Sequence, residues 1–204
     1  MRVYLIRHGE THSNARRIVQ LPDDPLSPKG LQQAAQLAER LADCGIVRLI
    51  SSDLRRAAMT TSCIAEATGL VPEFSERLHE RNFGDLRGTP YDELTFDPFA
   101  LDYEPPGGES WQSFYDRVRG AWSDIESLAS ESEPLAVVTH GLVLRAILDR
   151  HLGVDLNDSQ ASATARQIAN TSVTIIERAD AGWQVHTLTC TRHLSSHSSA
   201  TGTA

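Results

Sequence analysis

Val3-Tyr4-Leu5-Ile6-Arg7-His8-Gly9-Glu10 and Val137-Val138-Thr139-His140-Gly141 share one grammar: an apolar run, a polar residue, then His-Gly. A short apolar run of this kind reads as a buried strand. Each His-Gly pair then lies where a strand gives way to a loop. In open α/β sheets ligands gather outside the carboxyl ends of the strands. A histidine placed there is held by the strand and still faces a ligand, and the glycine beside it permits a close backbone approach. Arg-His-Gly-Glu alone fits a structural histidine as well as a functional one. Its repetition predicts two imidazoles brought together at one sheet edge.

The surrounding segments alternate between helix and strand. Asn14, Arg16 and Arg17 fall in a loop or short helix, and Pro22-Asp23-Asp24-Pro25 is a turn. Ser27 and Pro28 have the chemistry of an N-cap and a first helical residue. Leu31, Ala34, Ala35, Ala38 and Leu41 follow helical spacing, with Gly45 placed to end the helix. Ile46 to Ile50 reads as a strand. Ser51-Ser52-Asp53 is expected to cap a helix over about 53–68, ended by Gly69. Val71 to Phe74 reads as a short strand. Residues 75–109 are irregular, as functional insertions in compact domains tend to be. Ser110 to Ala129 is an amphipathic helix with Phe114, Val118, Ala121, Ile125 and Leu128 on one face. Leu135 to Thr139, Thr171 to Ile176 and Gln184 to Leu188 read as strands, and Leu142 to Leu152 as a helix. The order predicts an α/β fold, a three-layer sandwich with a mostly parallel central sheet flanked by helices. One domain over residues 1–192 is expected, followed by a disordered tail over 193–204.

Composition narrows the function classes. The chain has 204 residues and a formal net charge of −8, which disfavours nucleic acid and anionic membranes as partners. No apolar run approaches the length of a membrane span. The apolar stretch after Met1-Arg2 is too short for a secretory signal. Cys44, Cys63 and Cys190 are odd in number and far apart, which suits a reducing cytoplasm. An arginine cluster on so acidic a chain would be a deliberate positive site. Arg55 and Arg56 sit in the first turn of their helix, against the helix dipole. Their placement makes sense if an anion lies between.

Arg7, His8, Arg56, Glu80 and His140 together suit a tetrahedral oxyanion. Arginine offers a fixed fork of donors that matches phosphate. Glu80 would be repelled by phosphate and is suited to handling a proton instead. The set predicts phosphoryl transfer through a phosphohistidine. One imidazole must be neutral to attack phosphorus, while the cations hold the oxygens in line. A carboxyl with raised pKa protonates the leaving alkoxide and then takes a proton from water. No metal-ligand pattern is visible, and no cofactor is expected.

At this point the chain resembles the histidine phosphatase superfamily, also called phosphoglycerate mutase-like, over roughly residues 2–190. The matching segments are Arg7-His8-Gly9-Glu10-Thr11 with Asn14, Leu26-Ser27-Pro28-Lys29-Gly30, and Ser52-Asp53-Leu54-Arg55-Arg56-Ala57 with Thr60-Thr61. To these are added Leu78-His79-Glu80-Arg81 with Gly84 and Gly88, Pro106-Gly107-Gly108-Glu109-Ser110, Thr139-His140-Gly141 and Asn170-Thr171-Ser172-Val173. Their order is far more specific than any one of them. The resemblance implies His8 as the phosphorylated nucleophile and Glu80 as acid and base. Arg7, Arg56 and His140 with Gly141 would form the phosphate pocket, with Asn14 as a further donor. It puts Arg56, not Arg55, in that pocket. Arg81 either reaches substrate or forms a surface salt bridge. Val19-Gln20 stands where many relatives have Gln-Gly, and Gln20 is expected to replace part of the lost contact. A homodimer is common for such a fold.

His12, His79, His151 and His186 are expected to be surface or structural residues, and His193 and His197 to lie in the tail. Trp111, Trp122 and Trp183 are expected in the core or as caps. Glu10 either orients its loop or is solvated. Three functions share the pocket: a metal-independent phosphatase of small phosphorylated metabolites, a phosphoglycerate mutase, and a catalytically silent phospholigand-binding module. Mutases of this resemblance carry a longer insertion with extra arginines. Residues 89–109 hold Asp92, Glu93, Asp97, Asp102 and Glu104 and no arginine. An acidic lid would repel a bisphosphorylated intermediate, so the phosphatase is the expected function.

Overall fold

The computed structural model describes residues 1–129, 133–156 and 168–195. Six strands form one sheet in the order β3-β2-β4-β1-β5-β6. They are β1 (Arg2–Arg7), β2 (Arg48–Ser51), β3 (Glu73–Phe74), β4 (Leu135–Thr139), β5 (Val173–Ala179) and β6 (Gly182–Cys190). β1 pairs parallel with β4, and β2 pairs parallel with both β4 and β3. β5 runs antiparallel to β1, and β6 antiparallel to β5. The helices are α1 (His12–Ala15), α2 (Pro28–Ala42), α3 (Arg55–Thr68), α4 (Trp111–Leu128) and α5 (Gly141–Leu152).

Strand alternation divides the core in two. Val3 and Leu5 of β1, with Leu135 and Val137 of β4, join Phe114, Val118 and Ile125 of α4 and Ile147 of α5. Tyr4 and Ile6, with Ala136 and Val138, join Leu37 and Leu41 of α2 and Ile64 of α3 on the other side. Successive side chains point to opposite faces. Continuous apolar runs in β1 and β4 therefore require helices on both faces, giving the three-layer sandwich.

The connections decide where the site falls. From β1 the chain crosses by α2 to β2, and from β4 it crosses by α5 to β5, on the other side of β1. Neighbouring strands whose crossovers leave in opposite directions open a crevice at their carboxyl ends. β1 and β4 are such a pair, with Arg7 opposite Thr139. His8 and His140 follow directly.

Several ends differ from the sequence reading. α3 is capped by Leu54 without a side-chain bond, not by Ser51-Ser52-Asp53; Ser52 Oγ instead accepts the Leu54 N–H. α2 ends at Asp43, two residues before Gly45. Ser27 caps α2 through the Gly30 N–H, and Ser110 caps α4 through the Ser113 N–H. Residues 75–109 contain three short 3-10 turns, at Glu76–Leu78, Gly84–Leu86 and Tyr91–Glu93. The chain end also corrects the reading. Arg192–Leu194 forms a 3-10 turn, and His193 is buried against Arg40 and Thr171 rather than belonging to a loose tail. Residues 196–204, with His197, lie outside the described residues. Among the described residues, no helix is long and apolar enough to cross a membrane.

Candidate active site

The crevice between β1 and β4 is built around the backbone of His8. Its N–H donates to Thr139 O at 3.0 Å, and its carbonyl accepts from Asn170 Nδ2 at 3.1 Å and from the Thr171 N–H at 3.2 Å. The Gly9 N–H donates to Thr60 Oγ1 at 3.0 Å. Thr171 has φ of 55°, a left-handed conformation that is strained for a β-branched residue. Its N–H is shared between the carbonyls of Arg7 and His8, which holds it there. Gly9 and Gly30 meet backbone to backbone: a Cβ on Gly9 would lie 2.7 Å from Gly30 O, and one on Gly30 would lie 2.0 Å from Glu10 O. The close approach expected at Gly9 is therefore made by the start of α2. Glu10 orients the loop by accepting from Ser27 Oγ and Lys29 Nζ.

The His8 ring is 1% exposed, and its Nδ1 lies 2.7 Å from Gly9 O. A carbonyl can only accept, so Nδ1 carries the hydrogen and the lone pair resides on Nε2. Burial, with Arg56 and Arg7 nearby, holds this imidazole well below its usual pKa range and keeps it neutral. The His140 ring lies 5.1 Å away between centroids. Its Nε2 pairs with Ser52 Oγ at 2.8 Å. Among the described residues Ser52 Oγ has no other acceptor for its hydrogen, which is therefore assigned to Nε2 and leaves Nδ1 as the donor. Burial first, and Arg56 and His8 next, also keep His140 neutral.

Arg7 and Arg56 complete the floor. Arg7 Nη1 donates to Ile168 O and Arg56 Nη1 to Leu21 O. Burial lowers both guanidinium pKa values, that of Arg56 to about 10, which leaves Arg56 cationic at neutral pH. Among the described residues, Arg7 Nε, Arg56 Nε and His140 Nδ1 are buried without a partner. Unpaired buried donors are uncommon and costly, and three in one site suit an anion with several acceptor oxygens. Arg55 lies outside this group, exposed and donating to Asp23 O.

Glu80 borders the same cleft. Its Oε1 accepts from Arg81 N–H and its Oε2 from Leu142 N–H, at the start of α5. Desolvation raises its pKa; the two N–H bonds and the charges of Arg56 and Arg7 partly oppose the rise. The carboxyl can therefore hold a proton nearer to neutral pH than an ordinary glutamate.

The cleft encloses about 370 Å³, with Arg7, Asn14, Gln20, Arg56, Glu80 and Gly141 on its walls. Asn14 Oδ1 accepts from Thr11 N–H and from Asn170 Nδ2. Gln20 Nε2 donates to Thr11 Oγ1 at 2.6 Å. Arg81 borders the cleft. It is 2% exposed, and among the described residues it makes no salt bridge. Instead it donates to the carbonyls of Glu109, Pro98 and Tyr103 and stacks 4.1 Å over Trp111. Arg117 clamps Glu109 through two bonds and also donates to the carbonyls of Arg77 and His79.

The lid does not turn its acids towards the cleft, contrary to the expectation of an acidic lid. None of Asp92, Glu93, Asp97, Asp102 and Glu104 borders the cleft; Tyr91 and Phe99 do, with Arg87 and Arg145. Exposed carboxylates keep their hydration while the lid turns its rings inward. Ser52, Thr60, Tyr91, Arg87 and Arg145 were not singled out for the site in sequence. Ser52 and Thr60 stand inside matching segments, which was the one available signal. His79 pairs with Asp53 beside the acid loop. Trp122 is buried in the core and meets Trp183 and His151. Among the described residues no group of His, Cys, Asp and Glu is gathered as for a metal ion.

The profile of the histidine phosphatase superfamily (branch 1) matches residues 3–191. The chain belongs to this superfamily. A probable phosphoglycerate mutase GpmB of Salmonella paratyphi B is 37% identical, with 95% of each chain covered. A mycobacterial glucosyl-3-phosphoglycerate phosphatase, solved in complex with VO3, superposes with a TM-score of 0.78 at 27% identity, covering 93% of this chain and 99% of that one. Bacillus stearothermophilus YhfR gives a TM-score of 0.77 at 31% identity, covering 91% and 95%. Superfamily relatives of this chain thus carry both phosphatase and mutase names over nearly its whole length.

Proposed function

We propose that this histidine phosphatase superfamily member hydrolyses phosphomonoesters of small metabolites through a phosphohistidine on His8, without a metal or cofactor. The observation that carries the reading is the set of three unpaired buried donors beside an imidazole whose lone pair is on Nε2. His8 Nε2 attacks phosphorus as the P–O bond to the alcohol breaks. Arg7, Arg56 and His140 hold the nonbridging oxygens, with Asn14 beside them. Glu80 gives its proton to the departing alkoxide. Water then attacks phosphorus, its proton passes to Glu80, the P–N bond breaks and inorganic phosphate leaves. Glu80 ends protonated, as it began.

The phosphatase reading is supported by residues 89–109, which supply no lysine or arginine to hold a second anion. It is also supported by the phosphatase relative that binds VO3. A mutase reading has its own observation: Arg87 and Arg145 border the cleft and could hold a second anionic group. The reducing cytoplasm is the proposed setting, in keeping with three free cysteines. A homodimer is the proposed assembly. The deciding experiment measures phosphate release from phosphorylated metabolites with chelator present. A parallel assay follows conversion of 3-phosphoglycerate to 2-phosphoglycerate with and without bisphosphate primer. Release without isomerisation is expected. Primer-dependent isomerisation without release would make the protein a mutase, and neither activity would leave the binding module.

A further inference from the structure

Beyond the phosphate floor, the cleft has a wall of rings. Phe83, Tyr91 and Phe99 all border it. Phe99 meets Phe83 edge-on at 5.7 Å and Tyr91 at 5.7 Å, so the three make one cluster. Phe83 is 6% exposed, whereas Phe99 leaves 41% of its surface open. Leu54, Leu142 and Ile168 supply further apolar surface around the same space.

This wall is anchored and not incidental. Arg81 lies 5.4 Å from the Phe83 ring, and its bonds to Pro98 O and Tyr103 O fix the backbone on either side of Phe99. A Cβ on Gly84 would lie 2.0 Å from Pro106 O, so the turn after Phe83 is closed against the far end of the lid. An open ring on a rigid wall gains most from a flat apolar partner, through area removed from water and ring-to-ring contact. A sugar or glycerate hydroxyl laid on the face of Phe99 would meet ring carbons and no hydrogen-bond partner from that ring.

We infer that the alcohol released by this enzyme carries an aromatic or other flat apolar ring, which lies against Phe99 within the Phe83–Tyr91–Phe99 wall while its phosphate occupies the Arg7–Arg56 floor. This rests on the proposed function and narrows its substrate class. Metabolites with a ring near the phosphate are favoured over small hydroxy acids and simple sugars.

The test must separate ring binding from leaving-group reactivity. 2-Phenylethyl phosphate and ethyl phosphate release alcohols of similar acidity, so their difference reads the contact. The expected kcat/KM ratio is about tenfold or more in favour of the phenyl compound. Phe99→Ala should bring the ratio towards one, and Phe99→Leu should restore part of it. Phosphate release from both esters at equal kcat/KM would overturn the inference and leave the hydrolase standing. If neither ester is hydrolysed, the hydrolase reading falls. The wall is then judged by calorimetry with 3-phenylpropylphosphonate against propylphosphonate. Tighter binding of the phenyl compound that is lost in Phe99→Ala supports it, and equal affinities sink it.

Discussion

Arg56 and Arg81 are both 2% exposed, both border the cleft, and spend their donors in opposite ways. Arg56, at the strand-end floor, gives one bond to Leu21 O and keeps a buried Nε unpaired. Arg81, in the acid loop, gives three bonds to lid carbonyls and a face to Trp111. Burial alone therefore does not distinguish an arginine kept for a ligand from one consumed in folding. The distinguishing quantity is the number of donors left over. The floor holds uncompensated polar groups that destabilise the empty fold. The lid satisfies its own, so that rings and a carboxyl are held in place.

The largest effect should fall on the floor. His8→Ala is expected to lower turnover by at least ~10⁴-fold and to abolish acid-labile phosphoenzyme labelling. Labelling that persists would move the nucleophile elsewhere. Arg56→Ala should cost about 10³-fold in kcat/KM and less stability than Arg81→Ala, because it removes one bond to a carbonyl and not three. Arg55→Ala should change activity by less than about threefold. A larger loss at Arg55 would invert the register of the helix start.

Glu80→Gln should lower kcat on alkyl phosphates by about 10²-fold and on p-nitrophenyl phosphate by much less, since that leaving group needs little protonation. The raised pKa sets the sign of the pH dependence. Alkyl ester phosphorylation should decline as pH rises through the Glu80 pKa, and that basic limb should be absent in the glutamine variant. Equal losses on both esters would leave Glu80 without a proton role.

Arg81→Ala sharpens the contrast. It should cost about 3 kcal/mol in urea unfolding, because three carbonyls lose a charged donor, and it should raise KM more than it lowers kcat. A floor-like profile, with kcat lost and no more stability lost than in Arg56→Ala, would break the comparison. His193 should give the smallest effect. It is neutral when folded, with burial and Arg40 lowering its pKa from 6.5 to about 4. Its contribution is complete above pH ~6.5 and is lost as pH falls towards ~4. The stability gap between wild type and His193→Gln, about 1–2 kcal/mol at pH 7.5, should narrow over that window. A gap that widens on acidification would give the coupling the wrong sign.

Much of the floor was legible before any coordinates. Val3 to Ile6 and Leu135 to Val138 are apolar at every position, which implies strands covered on both faces. The helix start at Ser27-Pro28 follows from those residues themselves, and the choice of Arg56 over Arg55 from the family resemblance. The chain end and the lid were read less well. His193 sits among serines, histidines and threonines, a composition with no apolar periodicity, yet Arg40 and Thr171 draw it in from 153 and 22 residues away. Composition carries no direction, so the five lid acids give no sign in sequence that they face away from the ligand.

The sequence by itself determined where β1 and β4 end, that Ser27 caps α2 and which imidazoles stand at those strand ends, because these depend on residues a few positions apart. Only the tertiary structure decided which donors remain unspent. Arg81 meets carbonyls 17, 22 and 28 residues along the chain, and Arg7, Arg56 and His140 come from three separate elements. Hydrogen-bond satisfaction is a property of packed neighbours, and that accounting closes only when the chain is folded.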